Sequence, residues 1–306
     1  MFILPGSHGN SHGNSHGNSH GNSHGNSGLA MAPAGGISLP VTLPISPING
    51  VALPSELVPF KDVEVHPDLW ILPKLPAFLA LLLPDTAPDA KDTLYDQLNT
   101  KLTNGRADPK NDLERALNAR DANIATFGAE AADQSGDFKH YFHALLSLNP
   151  RDHKNTMRLI SLVYAISGVV GMAWKLEFMR ERPAHVWPGL FPALPTPPHP
   201  SFPSNHATQA NAVSIMLSKV VEKAGLRDAR DFLKELANRI AHNREYMGIH
   251  FSSDTKAGEL IATDLVSDLM THQDIELTDD QCLRKLIEDA AAELKPKAEG
   301  GCDVQL

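Results

Sequence analysis

The sequence predicts an all-α fold, a single helical bundle preceded by an extended, proline-rich N-terminal arm. Three observations predict it. Downstream of Pro84 the apolar pattern is helical and stays so, whereas alternating strand-like patterns are scarce. Helix start signals stand ahead of several segments: Asp108-Pro109, Asn155-Thr156 and Thr278-Asp279-Asp280. The third is size and balance: 306 residues, 42% hydrophobic and 21% charged, suit one substantial folded body.

Taken in order, residues 1–27 form a tail dominated by five copies of His-Gly-Asn-Ser over 8–27. The repeat holds no apolar residue, so it has nothing to bury against its ordering entropy and is expected to be disordered. Weak metal chelation by His8, His12, His16, His20 and His24 is the alternative reading. Residues 28–84 carry Leu39-Pro40, Leu43-Pro44, Leu53-Pro54 and Leu72-Pro73, and repeated prolines exclude long helices and most strand interiors. This segment reads as an arm laid over the core, and Phe78–Leu83 is far too short to span a bilayer. Residues 85–306 form the helical domain, with helices expected over 88–103, 110–131, 137–148, 155–181, 205–224, 228–247, 254–271 and 279–294.

A net charge of −9 gives no general reason to expect nucleic acid as a partner, and makes local clusters of cations more informative. Cys282 and Cys302 fit no metal spacing. The opening Met1-Phe-Ile-Leu-Pro lacks the flank and apolar length of a signal peptide, which points to the cytoplasm. Leu159–Trp174 is nearly all apolar but stands alone, so it is expected to be a central helix buried on all sides, with no integral membrane span.

Three stretches carry the chemistry. Lys175 and Arg182-Pro183 follow the apolar helix, and a seven-residue spacing on a continuous helix leaves two side chains within roughly 20° of each other. A solvated basic face with Glu177 and Glu181 as partners is the bland alternative. Pro203-Ser204-Asn205-His206 then opens a helix after a rigid loop that contains His199. A helix N-terminus presents unpaired N–H groups to an anion. Ser204 can serve as its N-cap, whereas His206 is not a residue that a cap requires. Finally, Arg244 lies near a helix end, Gly248 breaks that helix, His250 follows on the turn, and Asp254 is expected as the next N-cap. A carboxylate four residues after His250 can take its Nδ1–H and leave Nε2 facing the site. His140 and His143 with Asp137 are expected on one face of an amphipathic helix rather than at a metal, and no metal site is expected. Arg180, His185 and Trp187 are candidates for the pocket mouth.

Together these stretches resemble the signature of the type 2 phosphatidic acid phosphatase and vanadium haloperoxidase superfamily: K-x6-R-P, P-S-G-H and S-R-x3-G-x-H-x3-D. The resemblance covers Trp174 to Asp254, with Asn205 where the family usually has Gly and Asn243 where it usually has Ser. It implies an α-helical bundle in which Lys175, Arg182, Ser204, the Asn205 amide and Arg244 hold an oxyanion. It also implies that His250 bonds the central phosphorus or vanadium, that Asp254 orients His250, and that His206 is the acid–base partner. If the Asn205 amide faces the oxyanion as the usual Gly does, Asn205 is expected at positive φ.

Two activities follow from such a site. One is hydrolysis of small-molecule phosphomonoesters through a phosphohistidine, with no cofactor. The other is vanadate-dependent oxidation of bromide or iodide by hydrogen peroxide. His199, five residues before Ser204, occupies a place that often holds histidine in the bromide- and iodide-oxidising branch. Met172, three before Lys175, is neither the aromatic nor the basic residue of known haloperoxidases, and the chain has one bundle's worth of sequence, closer to soluble bacterial acid phosphatases. The phosphatase reading is preferred. A phosphate-binding protein without catalysis would be expected to have lost a catalytic group, and His206, His250 and Asp254 are all present.

Overall fold

The computed structural model describes Thr100, residues 109–278 and residues 281–295. The repeat tail, the proline-rich arm, nearly all of the helix expected over 88–103, the Asp279-Asp280 start signal and Cys302 lie outside the described residues.

The described chain is helical apart from one small ribbon. In order it forms α1 (Pro109–Asp133), α2 (Lys139–Leu145), α3 (Lys154–Phe178), the single turn α4 (Pro183–Val186), a 3-10 turn (Pro188–Leu190), α5 (Asn205–Lys223), α6 (Ala229–Tyr246), α7 (Ser252–Thr271), strands β1 (Glu276–Thr278) and β2 (Gln281–Cys282), and α8 (Leu283–Leu294). The all-α expectation therefore holds for the described residues. The helix expected over 279–294 starts later, because the chain first makes the antiparallel β1–β2 ribbon, with Leu277 tucked into the core.

Helix α5 is the hub, packing against α6, α7, α3 and α8. Its buried positions include Ala210, Val213, Leu217 and Val220, three or four residues apart. Helix α3 packs on α5 and α8. Among the described residues one helical stretch, beginning at Lys154, is long and apolar enough to cross a bilayer, and 67% of its apolar window is buried within the protein. The expectation of burial on all sides is too strong. Ala165, Gly168, Val169, Met172 and Ala173, which share a face at helical spacing, are only half-buried.

The first turn of α3 is capped from a distance. Asn155 and Thr156 do not act as the cap; His153 occupies that position and makes no side-chain cap bond. Glu293 of α8 instead accepts from the Asn155 N–H at 2.8 Å, the Thr156 N–H at 2.8 Å and the Thr156 hydroxyl at 2.8 Å. A carboxylate there satisfies orphan amides and opposes the positive end of the helix dipole. Glu293→Ala is expected to lower unfolding free energy by about 1–2 kcal/mol, measured by urea denaturation. An unchanged midpoint would show that water replaces the cap at no cost.

Candidate active site

The ends of five helices meet at the motif residues: the C-termini of α1, α3 and α6 and the N-termini of α5 and α7. Helix α3 stops at Phe178, where Met179 takes a left-handed conformation (φ 45°). Arg182 is extended (φ −82°, ψ 159°), as a residue before proline prefers to be. The seven-residue helical spacing expected for Lys175 and Arg182 is thus overturned, since the helix ends between them. They meet all the same. The solvated-face alternative is also excluded: Lys175 and Arg182 are 0% and 1% exposed, while Glu177 and Glu181 lie on the surface.

Lys175 spends its ammonium on the proline-rich loop. Its Nζ donates to the carbonyls of Pro200 (2.9 Å), Ser201 (2.8 Å) and Pro203. Those three acceptors use the three donors that an ammonium has. Arg182 donates Nε–H to the His199 carbonyl (3.0 Å) and one terminal N–H to the Ile249 carbonyl (2.7 Å). The same nitrogen lies 3.3 Å from His250 Nε2, and the other terminal nitrogen lies 3.2 Å from His199 Nδ1. Because a guanidinium only donates, His250 Nε2 faces it as a lone pair, whereas His199 Nδ1 also lies 3.3 Å from the Pro200 carbonyl, which can only accept.

His250 is oriented as its spacing to Asp254 predicts. Gly248 (φ 72°) ends α6, a conformation glycine adopts without a Cβ penalty. His250 Nδ1 then lies 2.9 Å from Asp254 Oδ2. With its Nδ1–H given to the carboxylate, the ring has one remaining lone pair, at Nε2, and that is the atom facing Arg182. Asp254 is not the N-cap of α7, contrary to expectation. Phe251 is the N-cap, and Asp254 in the first turn accepts the Phe251 N–H at 3.0 Å, as the distal residue of a capping box does. The same Oδ2 accepts from Ser201 Oγ at 2.5 Å.

At the N-terminus of α5, Ser204 is the N-cap, its hydroxyl accepting from the Ala207 N–H at 3.4 Å. Its own N–H donates to the Asp254 carbonyl at 3.0 Å, tying α5 to α7. Asn205 is the first residue of the helix and is not among the positive-φ residues, so the expectation of positive φ is overturned. Its N–H is among the helix-start amides that lack an intrahelical acceptor. Its side chain reaches α3: Nδ2 donates to the Gly168 carbonyl at 3.2 Å, and the buried Oδ1 has no partner among the described residues. The space exists because residue 171 is glycine; a Cβ there would lie 1.9 Å from Asn205 Oδ1. His206 Nε2 lies 2.9 Å from the Gln134 carbonyl, so this nitrogen carries the proton.

Helix α1 holds the third motif. Arg244, 1% exposed, donates to the Ala131 carbonyl, and its buried Nε–H has no partner among the described residues. Asn243 donates Nδ2–H to Gln134 Oε1 at 2.8 Å, while its Oδ1 has no partner among the described residues. The structure therefore puts Lys175, Arg182, His199, Ser201, His250 and Asp254 in one set of contacts. It anchors Arg244, Asn243 and His206 to the end of α1 beside them.

The electrostatics join the two groups. Burial, then Arg182, pushes Lys175 down to about 7 against the pull of Asp254. Burial pushes Arg182 and Arg244 down to about 10 each. His206 falls to about 3 through burial, then Arg244, with Lys175 and Arg182 adding to it. His250 is held well below the usual range by burial, then Arg182. His199 falls to about 4 for similar reasons. Burial alone would raise Asp254, but His250, then Arg180 and Ser201, hold it at about 2. Burial and these cations thus favour the neutral form of both motif histidines, beside the buried Lys175, Arg182 and Arg244.

Sequence reasoning missed Ser201 and Asp112, which touch Asp254 and Arg180 from segments remote in the chain, and nothing local marks either one. Arg180, expected at the pocket mouth, turns inward to the Asp254 Oδ1 at 2.9 Å. His185 and Trp187 lie on the surface of the α4 turn and just beyond it. His140 pairs with Asp133 and Asp137 with Lys139. Among the described residues no group of His, Cys, Asp and Glu is placed to hold a metal ion.

Gly171→Ala is expected to cost about 1–3 kcal/mol by overpacking against Asn205, and much of that loss should vanish in the Asn205→Gly background. A double-mutant cycle in urea measures the coupling, and strictly additive variants would contradict the contact. The depressed Lys175 gives a pH dependence. A cation that loses its proton as pH rises through about 7 weakens anion binding by up to about tenfold per pH unit. Tungstate keeps its double charge above neutrality, so calorimetry at rising pH isolates the lysine. Lys175→Arg, which stays charged, should flatten that fall.

No protein-family model matches this chain, and no curated protein matches it.

Proposed function

We propose that the chain is a phosphoric monoester hydrolase that works through a phosphohistidine on His250, with the type 2 phosphatidic acid phosphatase and vanadium haloperoxidase superfamily as its relatives. One observation carries the reading. His250 gives Nδ1–H to a buried carboxylate and turns a neutral Nε2 toward Arg182. That is a nucleophile fixed in one tautomer beside a cation that can hold a phosphoryl oxygen. Buried Lys175, Arg182 and Arg244, together with the Arg244 Nε–H that has no partner among the described residues, suit the rest of an oxyanion's requirements.

In this reading the substrate's phosphoryl oxygens take the Arg182 N–H that faces His250 and the donors of Arg244, Ser204 and the Asn205 amide, while Lys175, whose donors hold the 200–203 loop, contributes its charge. The His250 Nε2 lone pair forms a bond to phosphorus as the ester P–O bond breaks, and the Nδ1 proton stays between His250 and Asp254. The bound dianion raises the proton affinity of His206, which protonates the departing oxygen. Water then attacks phosphorus, giving its proton to His206, and the P–Nε2 bond breaks to release phosphate. The partner is a small phosphate ester. The net charge of −9 favours neither nucleic acid nor a polyanionic surface as partner.

A second reading is favoured by His199, whose Nδ1 lies 3.2 Å from Arg182. The same donors suit vanadate, with His250 Nε2 bonded to vanadium, and bound vanadate would supply the Lewis-acid activation of hydrogen peroxide for halide oxidation. A paired assay separates the two. Purified protein is expected to release phosphate from an aryl phosphate, with competitive inhibition by orthovanadate. Vanadate-dependent bromination of an activated diketone without phosphate release would overturn the phosphatase reading.

Two variants test the roles. His250→Ala is expected to abolish turnover while leaving the far-UV circular dichroism unchanged. His206→Ala should lose most rate on alkyl phosphates and much less on activated aryl phosphates, because acid assistance matters most for a basic leaving oxygen. Equal losses on both substrates would sink the acid assignment.

A further inference from the structure

Arg180 lies just beyond the left-handed residue Met179 that ends α3, and no motif includes it. One terminal nitrogen donates to Asp254 Oδ1 (2.9 Å) and to Ser253 Oγ (2.6 Å). The other lies 2.9 Å from Asp112 Oδ2. The guanidinium carbon sits 4.1 Å from the centre of the Phe251 ring, so the cation is held by stacking as well as by charge. Asp112, in the first turn of α1, is 0% exposed and also accepts from the Ser252 and Ser253 hydroxyls. The Arg180 carbonyl accepts the Ser201 N–H at 2.8 Å, and Ser201 Oγ in turn bonds Asp254 Oδ2.

Arg180 therefore grips the carboxylate behind His250 twice, directly on Oδ1 and through Ser201 on Oδ2. We infer that Arg180 is a positioning residue for the proposed reaction, held in turn by Asp112, and that it keeps the Nδ1 proton on His250 by drawing charge from Asp254. A carboxylate shared with a guanidinium is a weaker proton acceptor and cannot swing away from Nδ1. That matters twice. It aims Nε2 in the first step, and in the second it lets His250 leave phosphorus as an imidazole that still carries its Nδ1–H. The inference rests on the phosphohistidine reading for its consequence, though not for its geometry.

The charged or titratable groups facing the His250–Asp254 pair are Lys175, Arg180, Arg182, His199, Asp112 and Glu245. Removing the Arg180 charge strengthens Asp254 as a base and lessens the positive field on His250. Both effects make protonation of the pair easier. The acid limb of kcat/KM is then expected to move to higher pH in Arg180→Gln, with kcat down about ten- to a hundredfold and KM little changed. The proton NMR resonance of His250 Nδ1–H should move downfield in the resting, full-length protein. Arg180→Lys, which keeps the charge but loses the fork, should lie between wild type and Gln on both measures. Asp112→Asn removes an anion from Arg180 and should shift the acid limb the other way.

A mere clamp between α1 and α7 would lower the melting temperature of these variants while leaving limb and resonance in place, and that result overturns the proposal. If Arg180→Gln does not fold, the Lys variant carries the test, with the same two shifts expected and an unmoved limb and resonance again overturning it. The resonance is read without substrate. A wild type with no phosphatase activity but a resonance that shifts in the variants would overturn the functional reading and leave the role of Arg180 standing.

Discussion

The site depends on one carboxylate. Asp254 has no exposed surface, and burying an anion costs several kcal/mol unless its lone pairs are filled. Here they are filled from every side: His250 Nδ1, Ser201 Oγ and the Phe251 N–H on Oδ2, and Arg180 on Oδ1. Its backbone carbonyl accepts from Ser204. These partners come from the exit of α3, the loop before α5, the cap of α5 and the turn into α7, so the carboxylate and the backbone carbonyl of Asp254 together tie these segments to one another. Removing a partner from such a group is the expensive change, since the charge remains behind unpaired.

Beside this anion lie three buried cations, Lys175, Arg182 and Arg244. Lys175 and Arg182 are occupied by backbone carbonyls of the 199–203 loop and of Ile249, which disperse their charge without neutralising it. Arg244 is held by a carbonyl of α1 and keeps an unused donor. Both imidazoles are pushed to the neutral form, first by burial and then by these cations. The site thus holds buried cations beside a neutral imidazole nitrogen, the features on which the proposed oxyanion chemistry rests.

Asn205 and Asn243 are accommodated by different means. Asn205 keeps a helical backbone and sends its amide into a notch on α3, where Gly168 offers a carbonyl and Gly171 offers room. Asn243 reaches Gln134, whose main-chain carbonyl also orients His206. An asparagine in the third motif thus braces the histidine of the second. In both cases the side chain turns to a neighbouring segment.

The sequence by itself determined the helical class, most helix limits to within a few residues, and the local devices: Ser204 as a cap, Gly248 as a helix stop, and His250 four residues from its carboxylate. These were legible because caps, glycine conformations and short spacings act over a few residues of chain. The tertiary structure decided what lies between segments. It ended α3 at Phe178 and brought Arg182 to Lys175 through a turn rather than along a helix. It moved Asp254 from cap to first helical turn, with Phe251 as the cap. It also supplied Glu293 to the start of α3, and Ser201, Arg180 and Asp112 to the carboxylate network. No periodicity announces these contacts, because a buried charge takes its partners from whichever segments packing brings within reach.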